Sequence, residues 1–355
     1  LALRRVQEGL LQAAGAAPGG DDGALAFVLA GSGTLGLECA LVNLVTPGEK
    51  LVVVNHGLFG DRFAAVGRAI GADVVEVSCP WGERVATERV AAALKESGAR
   101  VLAATHVDTS TGVVSPHLEY AKLAKEMEVT LVLDAVAGCG GMPIGMDDAG
   151  IGVVISASQK ALGMPPGLGL LVVSAGAMAK RKAMGGCRSY FLDWLNWEGA
   201  MRDSEARYFA TLPTNLICAA SAAIETAQAE GWGARFERHT RMARAFRRGM
   251  RAIGLESMSE ESILGTTVTA LRLPSGVTPI SVRQEVSKEG VAVAGGIGAW
   301  AESAIRVGHM GAAGLPELLQ GAAALETGLL RLGVPVERGA GVSELLCGWE
   351  ADIPS

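Results

Sequence analysis

The sequence predicts an α/β protein, with a large domain around a mostly parallel sheet followed by a smaller α+β domain. Three observations carry this expectation. Short apolar runs alternate with longer amphipathic stretches over residues 25–174, as in strands covered by helices on both faces. The chain has 355 residues, too many for one small core. After about Gly231 the texture shifts to long helices with a few separated short strands. The expected division is residues 1–233 for the large domain and 234–355 for the small one.

In chain order, residues 1–8 have a helical pattern. Residues 25–30 read as a strand and 34–45 as a helix, stopped by Pro47 and Gly48. The strand 51–54 leads to a helix over 61–70 that Gly71 ends. The strand 73–77 precedes a helix over 86–97, closed by Gly98. Strand 101–105, helix 116–127 and strands 130–133, 152–155 and 168–174 follow. In the small domain a helix over 234–253 leads to strand 268–273 and helix 279–289. Strands 291–294 and 304–307 come next, then a helix over 315–332. There is no internal repeat and no long linker.

Apolar residues make up 49% of the chain and charged residues 19%, ample for a packed interior. The 48 glycines are scattered, which excludes a collagen-like repeat. The formal net charge is −6, without long runs, so no nucleic-acid partner is expected. The one basic cluster, from Arg235 to Arg251, reads as a solvated helix face. The six cysteines lie far apart without a CxxC pair, which argues against a zinc ribbon or a disulfide framework. Cys39, Cys218 and Cys347 read as small buried apolar residues. No HExxH occurs, no metal is expected, and no apolar run reaches membrane-spanning length. The N-terminus does not read as a signal peptide, so the expected location is cytoplasmic.

In such a sheet, ligands gather beyond the carboxyl ends of the strands. Three segments belong there. Gly31-Ser32-Gly33-Thr34-Leu35-Gly36 follows a strand and opens a helix. Its glycines let backbone N–H groups approach an anion, and the helix N-terminus adds partial positive charge. The pattern is also a literal GxGxxG, so a nicotinamide-dependent oxidoreductase stays open. That fingerprint wants an acidic residue after the next strand, where Asn55 and His56 stand. A plain strand–helix turn is the bland reading. Asp134 ends the apolar run 131–133, where an aspartate is costly unless paired. It could cap a helix, hold a structural hydrogen bond, or pair with a cationic cofactor nitrogen. Ser156-Ala157-Ser158-Gln159-Lys160 follows the apolar run 153–155 and precedes a rigid Pro165-Pro166-Gly167 turn. That combination sets Lys160 apart from an ordinary surface lysine.

Ser-Ala-Ser-Gln-Lys160-Ala-Leu-Gly-Met-Pro-Pro-Gly resembles the lysine segment of the class V aminotransferases, nearest to the alanine–glyoxylate and serine–pyruvate branch. Further landmarks stand in that family's order. They are Gly-Ser32-Gly33-Thr34, Asn-His-Gly-Leu-Phe59-Gly-Asp-Arg, Thr-His-Val-Asp-Thr-Ser110-Thr-Gly, Leu-Asp134-Ala-Val136, Tyr208-Phe-Ala-Thr211-Leu-Pro and Ile-Arg306-Val-Gly. The resemblance implies a large domain of the aspartate aminotransferase type, fold type I, and pyridoxal 5'-phosphate as cofactor. Lys160 would form the Schiff base and then move the substrate proton. Asp134 would pair with the pyridinium nitrogen. Phe59 would stack on the ring, with Ser110 and Val136 lining it. Ser32, Gly33, Thr34 and Gln159 would bind the phosphate. Tyr208 and Thr211 would reach the phosphate of the neighbouring subunit in a homodimer with shared active sites. Arg306 would take the substrate carboxylate in a bidentate pair.

The implied reaction is ping-pong transamination from a small amino acid, alanine or serine, to a small 2-oxo acid, glyoxylate or pyruvate. The chain departs from the family pattern at Phe59, where Trp is frequent, at Thr34, where some relatives have His, and at Asp108, where Glu is common. Cysteine desulfuration, a related lyase reaction and 2-aminoethylphosphonate transamination are the neighbouring alternatives, although Cys347 lacks the desulfurase loop signature. A cofactor-binding protein without catalysis is a third class. Tyr190, Trp194 and Trp300 are candidates for the substrate pocket, the core or a dimer contact.

Overall fold

The computed structural model describes residues 1–17, 23–202 and 208–351. Seven strands form the main sheet: β1 (Leu25–Ala30), β2 (Lys50–Asn55), β3 (Asp73–Ser78), β4 (Val101–Thr105), β5 (Thr130–Asp134), β6 (Val153–Ala157) and β7 (Leu168–Val173). Their order is β1-β7-β6-β5-β4-β2-β3. From β3 to β6 every pairing is parallel. β7 is antiparallel to both of its neighbours. The connection 158–167 is too short for a helical crossover, so β7 has to return beside β6 in the opposite sense.

Residues alternate between the two faces of each strand. In β1, Ala26 and Val28 join one apolar layer, and Leu25, Phe27 and Leu29 join the other. The first layer is closed by the helices Ala2–Ala14, His117–Glu126 and Thr214–Glu230, the second by Gly33–Val42, Leu58–Ala69 and Trp194–Arg202. β4, β6 and β7 are buried along their whole length. β3 is not, because it has β2 on one side only; Val77 is its one fully buried residue.

The smaller sheet has β10 (Ala304–Gly308) between β8 (Val268–Arg272) and β9 (Ala294–Gly295), all antiparallel. The helices Trp232–Ala252, Leu315–Arg331 and Ala340–Glu350 supply much of its apolar cover. The strand expected over 291–294 shrinks to Ala294–Gly295, with Val291 and Val293 only partly buried against that core. Most other elements appear within a few residues of their expected bounds. The helix expected over 34–45 spans Gly33–Val42 and the one expected over 61–70 spans Leu58–Ala69. Among the described residues no helix is long and apolar enough to cross a membrane.

Two expectations are corrected. The helix Trp232–Ala252 does not present all its arginines to water, since Arg235 and Arg247 are buried. Their guanidinium groups satisfy backbone carbonyls that the packing strands. Arg235 donates to Gly140 O and Ala161 O (2.9 and 2.8 Å) and pairs with Glu230. Arg247 donates to Gly265 O and to Glu261. Cys39 is buried as expected, but Cys218 and Cys347 are exposed. Arg235→Ala should therefore lower the unfolding free energy by about 2–5 kcal/mol, because it strands two buried carbonyls, while Glu230 keeps its pair with Arg238. Arg248→Ala, which breaks a surface pair with Glu344, should cost at most about 1 kcal/mol. Thermal or urea unfolding of both variants checks the contrast.

Candidate active site

The strand register sets three sequence segments on one rim. Ala30 pairs with Leu168 and Ala157 with Gly169, so the ends of β1 and β6 flank the start of β7. Thr105 pairs with Asp134, and Asp134 with Ile155, which brings in the ends of β4 and β5.

At the β1 end, Ser32 is the extended N-cap of the helix Gly33–Val42, and its side chain makes no capping bond. The first N–H groups of that helix have no partner within it and point at the rim. Gly33 is required by close approach, because a Cβ there would lie 2.9 Å from Val136 Cγ2. Thr34 Oγ1 accepts from Arg62 Nη1 (3.2 Å), and the Arg62 guanidinium carbon lies 4.9 Å from the centre of the Phe59 ring. Gln159 is exposed, and Phe59, Val136 and Lys160 are half-buried. These side chains are open to a ligand, whereas the strands behind them are not.

Phe59 is held by its backbone. Its N–H donates to Asp108 Oδ2 (2.8 Å), and the Leu58 N–H donates to Ser110 Oγ (3.1 Å). Ser110 in turn donates its N–H and hydroxyl to Asp108 Oδ1 (2.9 and 2.5 Å). Ser110 is fully buried, so its hydroxyl serves the turn that presents Phe59. Asp108 and Arg62 are site residues that the sequence alone does not single out. The available signals were the Asp-x-Ser spacing, which permits an Asx turn, and an arginine three residues after Phe59, which places both on one helix face.

Asp134 is 3% exposed and accepts one hydrogen bond, from the Val136 N–H (3.0 Å). It caps no helix, and among the described residues it forms no ion pair. Burial pushes its carboxyl up to about 7, against the pull of that N–H; the Asp108 charge adds to the rise, and Arg62 and Lys160 oppose it. Lys160 is held below its ordinary value, first by burial and then by the charge of Arg306, with Asp134 opposing. Arg306 stands on β10, so the small sheet reaches the same site. Its Nε donates to Gly295 O (2.9 Å) and its Nη1 to Thr109 O (3.0 Å). Burial lowers its own value, and Asp108 raises it.

This rim fits pyridoxal phosphate. A buried carboxylate without a cation suits a protonated ring nitrogen, and an amine with a lowered pKa suits an aldehyde carbon. A helix N-terminus suits the phosphate.

Tyr208 and Thr211 lie elsewhere. Both are exposed, and they border a groove of about 480 Å³ with Leu1, Arg4, Trp197 and Ile217. Of the three pocket candidates, Trp194 is core, fully buried and stacked on Phe27 with centroids 6.0 Å apart. Tyr190 is exposed. Trp300 packs edge-to-face on Trp81.

The family model described as aminotransferase class-V matches residues 25–309. The chain is 32% identical over 324 residues to an L-aspartate–glyoxylate aminotransferase of Paracoccus denitrificans, covering 89% of this chain and 81% of that one. It is 33% identical over 325 residues to a Synechococcus protein named soluble hydrogenase, small subunit, covering 89% and 83%. The structure of a pyridoxamine–pyruvate aminotransferase from Mesorhizobium loti superposes with a TM-score of 0.91 at 28% identity, over 99% of this chain and 89% of that one.

Proposed function

The chain belongs to the class V aminotransferases, a pyridoxal-phosphate-dependent family, and from that premise we propose that it moves an amino group from a small amino acid to a small 2-oxo acid. The observation that carries the reading is the meeting of Lys160, Asp134 and Arg306, from both sheets, at the strand ends. Alanine or serine is the proposed donor and glyoxylate or pyruvate the acceptor, in a ping-pong cycle. The relatives' names support the acceptor class, since one is named for glyoxylate and another for pyruvate.

Bound at this rim, the cofactor supplies an electron sink for the charge left when the substrate α-carbon loses its proton. Lys160 would take that proton on its Nζ. Asp134 would hold the ring nitrogen and keep it protonated. Ser32, Gly33, Thr34 and Gln159 would hold the phosphate, and Phe59 and Val136 would line the ring. Ser110 acts through the turn that presents Phe59. Arg306 orients the substrate carboxylate, which fixes the α-carbon over Lys160.

The proposed assembly is a homodimer in which Tyr208 and Thr211 reach the neighbouring subunit's phosphate. Their exposure, with that of Tyr190 and Phe191, supports a covered face in the assembly. Cys347 lies on the helix Ala340–Glu350 rather than on a loop at the site, which disfavours desulfuration. Among the described residues, no group of three or more His, Cys, Asp or Glu could hold a metal ion.

Arg306→Ala should raise KM for both the amino acid and the oxo acid, each by roughly 10- to 100-fold, the scale of one lost charged pair. Steady-state kinetics with each substrate varied in turn checks this. Unchanged constants for both would remove Arg306 from the site.

A further inference from the structure

We propose that the Trp81–Trp300 pair is a positioning device for Arg306, joining the two sheets so that the guanidinium meets a substrate carboxylate at a fixed angle. The proposal rests on the assignment of Arg306 to that carboxylate.

Trp81 stands on the turn that follows β3, at the same end of the main sheet as the site. Trp300 stands on the loop between β9 and β10 of the small sheet. Their ring centres are 5.6 Å apart and the planes meet at 72°, a favourable edge-to-face geometry. Two glycines with left-handed backbone make room for the rings. Gly298 (φ +56°) lies where a Cβ would be 2.3 Å from Trp81 Cη2, and Gly82 (φ +90°) where one would be 3.2 Å from Trp300 Cζ2.

Both tryptophans are tied to the backbone that holds Arg306. On the Trp81 side, Arg84 Nε donates to Val114 O (2.6 Å). Val114 is bridged to Val107, which closes the turn carrying Thr109, and Thr109 O accepts from Arg306 Nη1. On the Trp300 side, the Trp300 N–H donates to Ile297 O (3.2 Å), and the Gly296 N–H donates to Ala304 O (2.7 Å). Next to them Gly295 O accepts from Arg306 Nε. The contacts form a closed ring: Trp81, Arg84, Val114, Thr109, Arg306, Gly295, Trp300 and back to Trp81. The aromatic pair is the side of that ring opposite Arg306. The turn carrying Thr109 is also tied to the segment entering β8, by the Val113–Leu264 bridge and by the Val114 N–H to Ile263 O and Gly265 N–H to Gly112 O bonds (2.9 and 2.8 Å). The aromatic pair adds the tie on the β9 side, beside Gly295, so removing it loosens one of the guanidinium's two backbone acceptors relative to the other.

The test uses the holoenzyme of Trp81→Ala, Trp300→Ala, Trp81→Phe and Arg306→Ala, and the double variant Trp81→Ala/Arg306→Ala. Trp81→Ala and Trp300→Ala should raise KM for donor and acceptor alike, by on the order of tenfold, the scale of one aromatic pair. The fall in kcat should be smaller, and the visible absorption maximum of the bound cofactor should not move. Trp81→Phe, which keeps an aromatic edge and is not expected to disturb folding, should recover most of the loss. In the Arg306→Ala background, Trp81→Ala should raise KM no further, because its effect passes through the arginine. Additive effects in the double variant, or a loss confined to kcat, would overturn the positioning role while leaving Arg306 in place. If Arg306→Ala itself leaves both KM values unchanged, the reading on which the proposal rests fails, and the proposal with it.

Discussion

Lys160→Ala is expected to reduce turnover by at least about 10³-fold, the range over which a positioned general base acts. The lysine combines a location and a chemical state. It follows β6 at the rim where Asp134 and the Gly33–Val42 helix converge. Burial and the nearby Arg306 charge hold its ammonium below the ordinary lysine value, so a neutral amine is more accessible than on a surface lysine. The same substitution should abolish the covalent link to the cofactor, read as loss of the visible band and of reducibility by borohydride. Thermal stability of the cofactor-free protein should change little, since Lys160 is half-buried and its amine makes no hydrogen bond or ion pair among the described residues. A variant that keeps the parent's rate and its visible band would remove Lys160 from the chemistry.

Asp134→Asn should act in opposite directions with and without cofactor. In the cofactor-free protein the buried carboxyl titrates at about 7 rather than at its ordinary 3.8. The folded state therefore holds this proton more tightly than the unfolded state does. The associated stability is present below about pH 4 and is lost as the pH rises to 7, where the group ionises without a partner. The asparagine variant has no such loss. It should be more stable than the parent above pH 7, by at most about 4 kcal/mol from a shift of roughly three units, and the gap should close towards pH 4. With cofactor bound, the proposed pairing would give the parent's carboxylate its cation and reverse the advantage. Turnover of the variant should then fall by at least about 10²-fold, because the charged hydrogen bond to the ring nitrogen is lost. Calorimetry of the cofactor-free proteins at several pH values, with rate measurements on the loaded ones, checks both halves. A stability gap that does not depend on pH would contradict the burial argument.

Much of the main sheet was legible because most of its strands are short apolar runs with a Gly or Pro close by, as in Leu25–Ala30 before Gly31 and Leu168–Val173 after Gly167. The rim was legible for the same reason, since Gly33, Asp134 and Lys160 each follow such a run. What was hidden depends on neighbours far apart in sequence. Asp108 becomes important only when the turn after β4 meets the Leu58–Phe59 backbone. Arg235 looks like one more charge on a basic helix until Gly140 and Ala161 present their carbonyls to it. The antiparallel return of β7 was not stated by its apolar run, which reads alike in either direction. The helices Ala175–Ala183, Trp194–Arg202 and Thr214–Glu230 went unassigned, since they lack the regular alternation with strands that marks the earlier part of the chain.

The most direct test of the central claim is the visible absorption spectrum of the purified protein loaded with pyridoxal phosphate, recorded before and after substrates. The expected result is a yellow protein whose band is bleached by L-alanine or L-serine and restored by glyoxylate or pyruvate. A protein that stays colourless after incubation with the cofactor would contradict it.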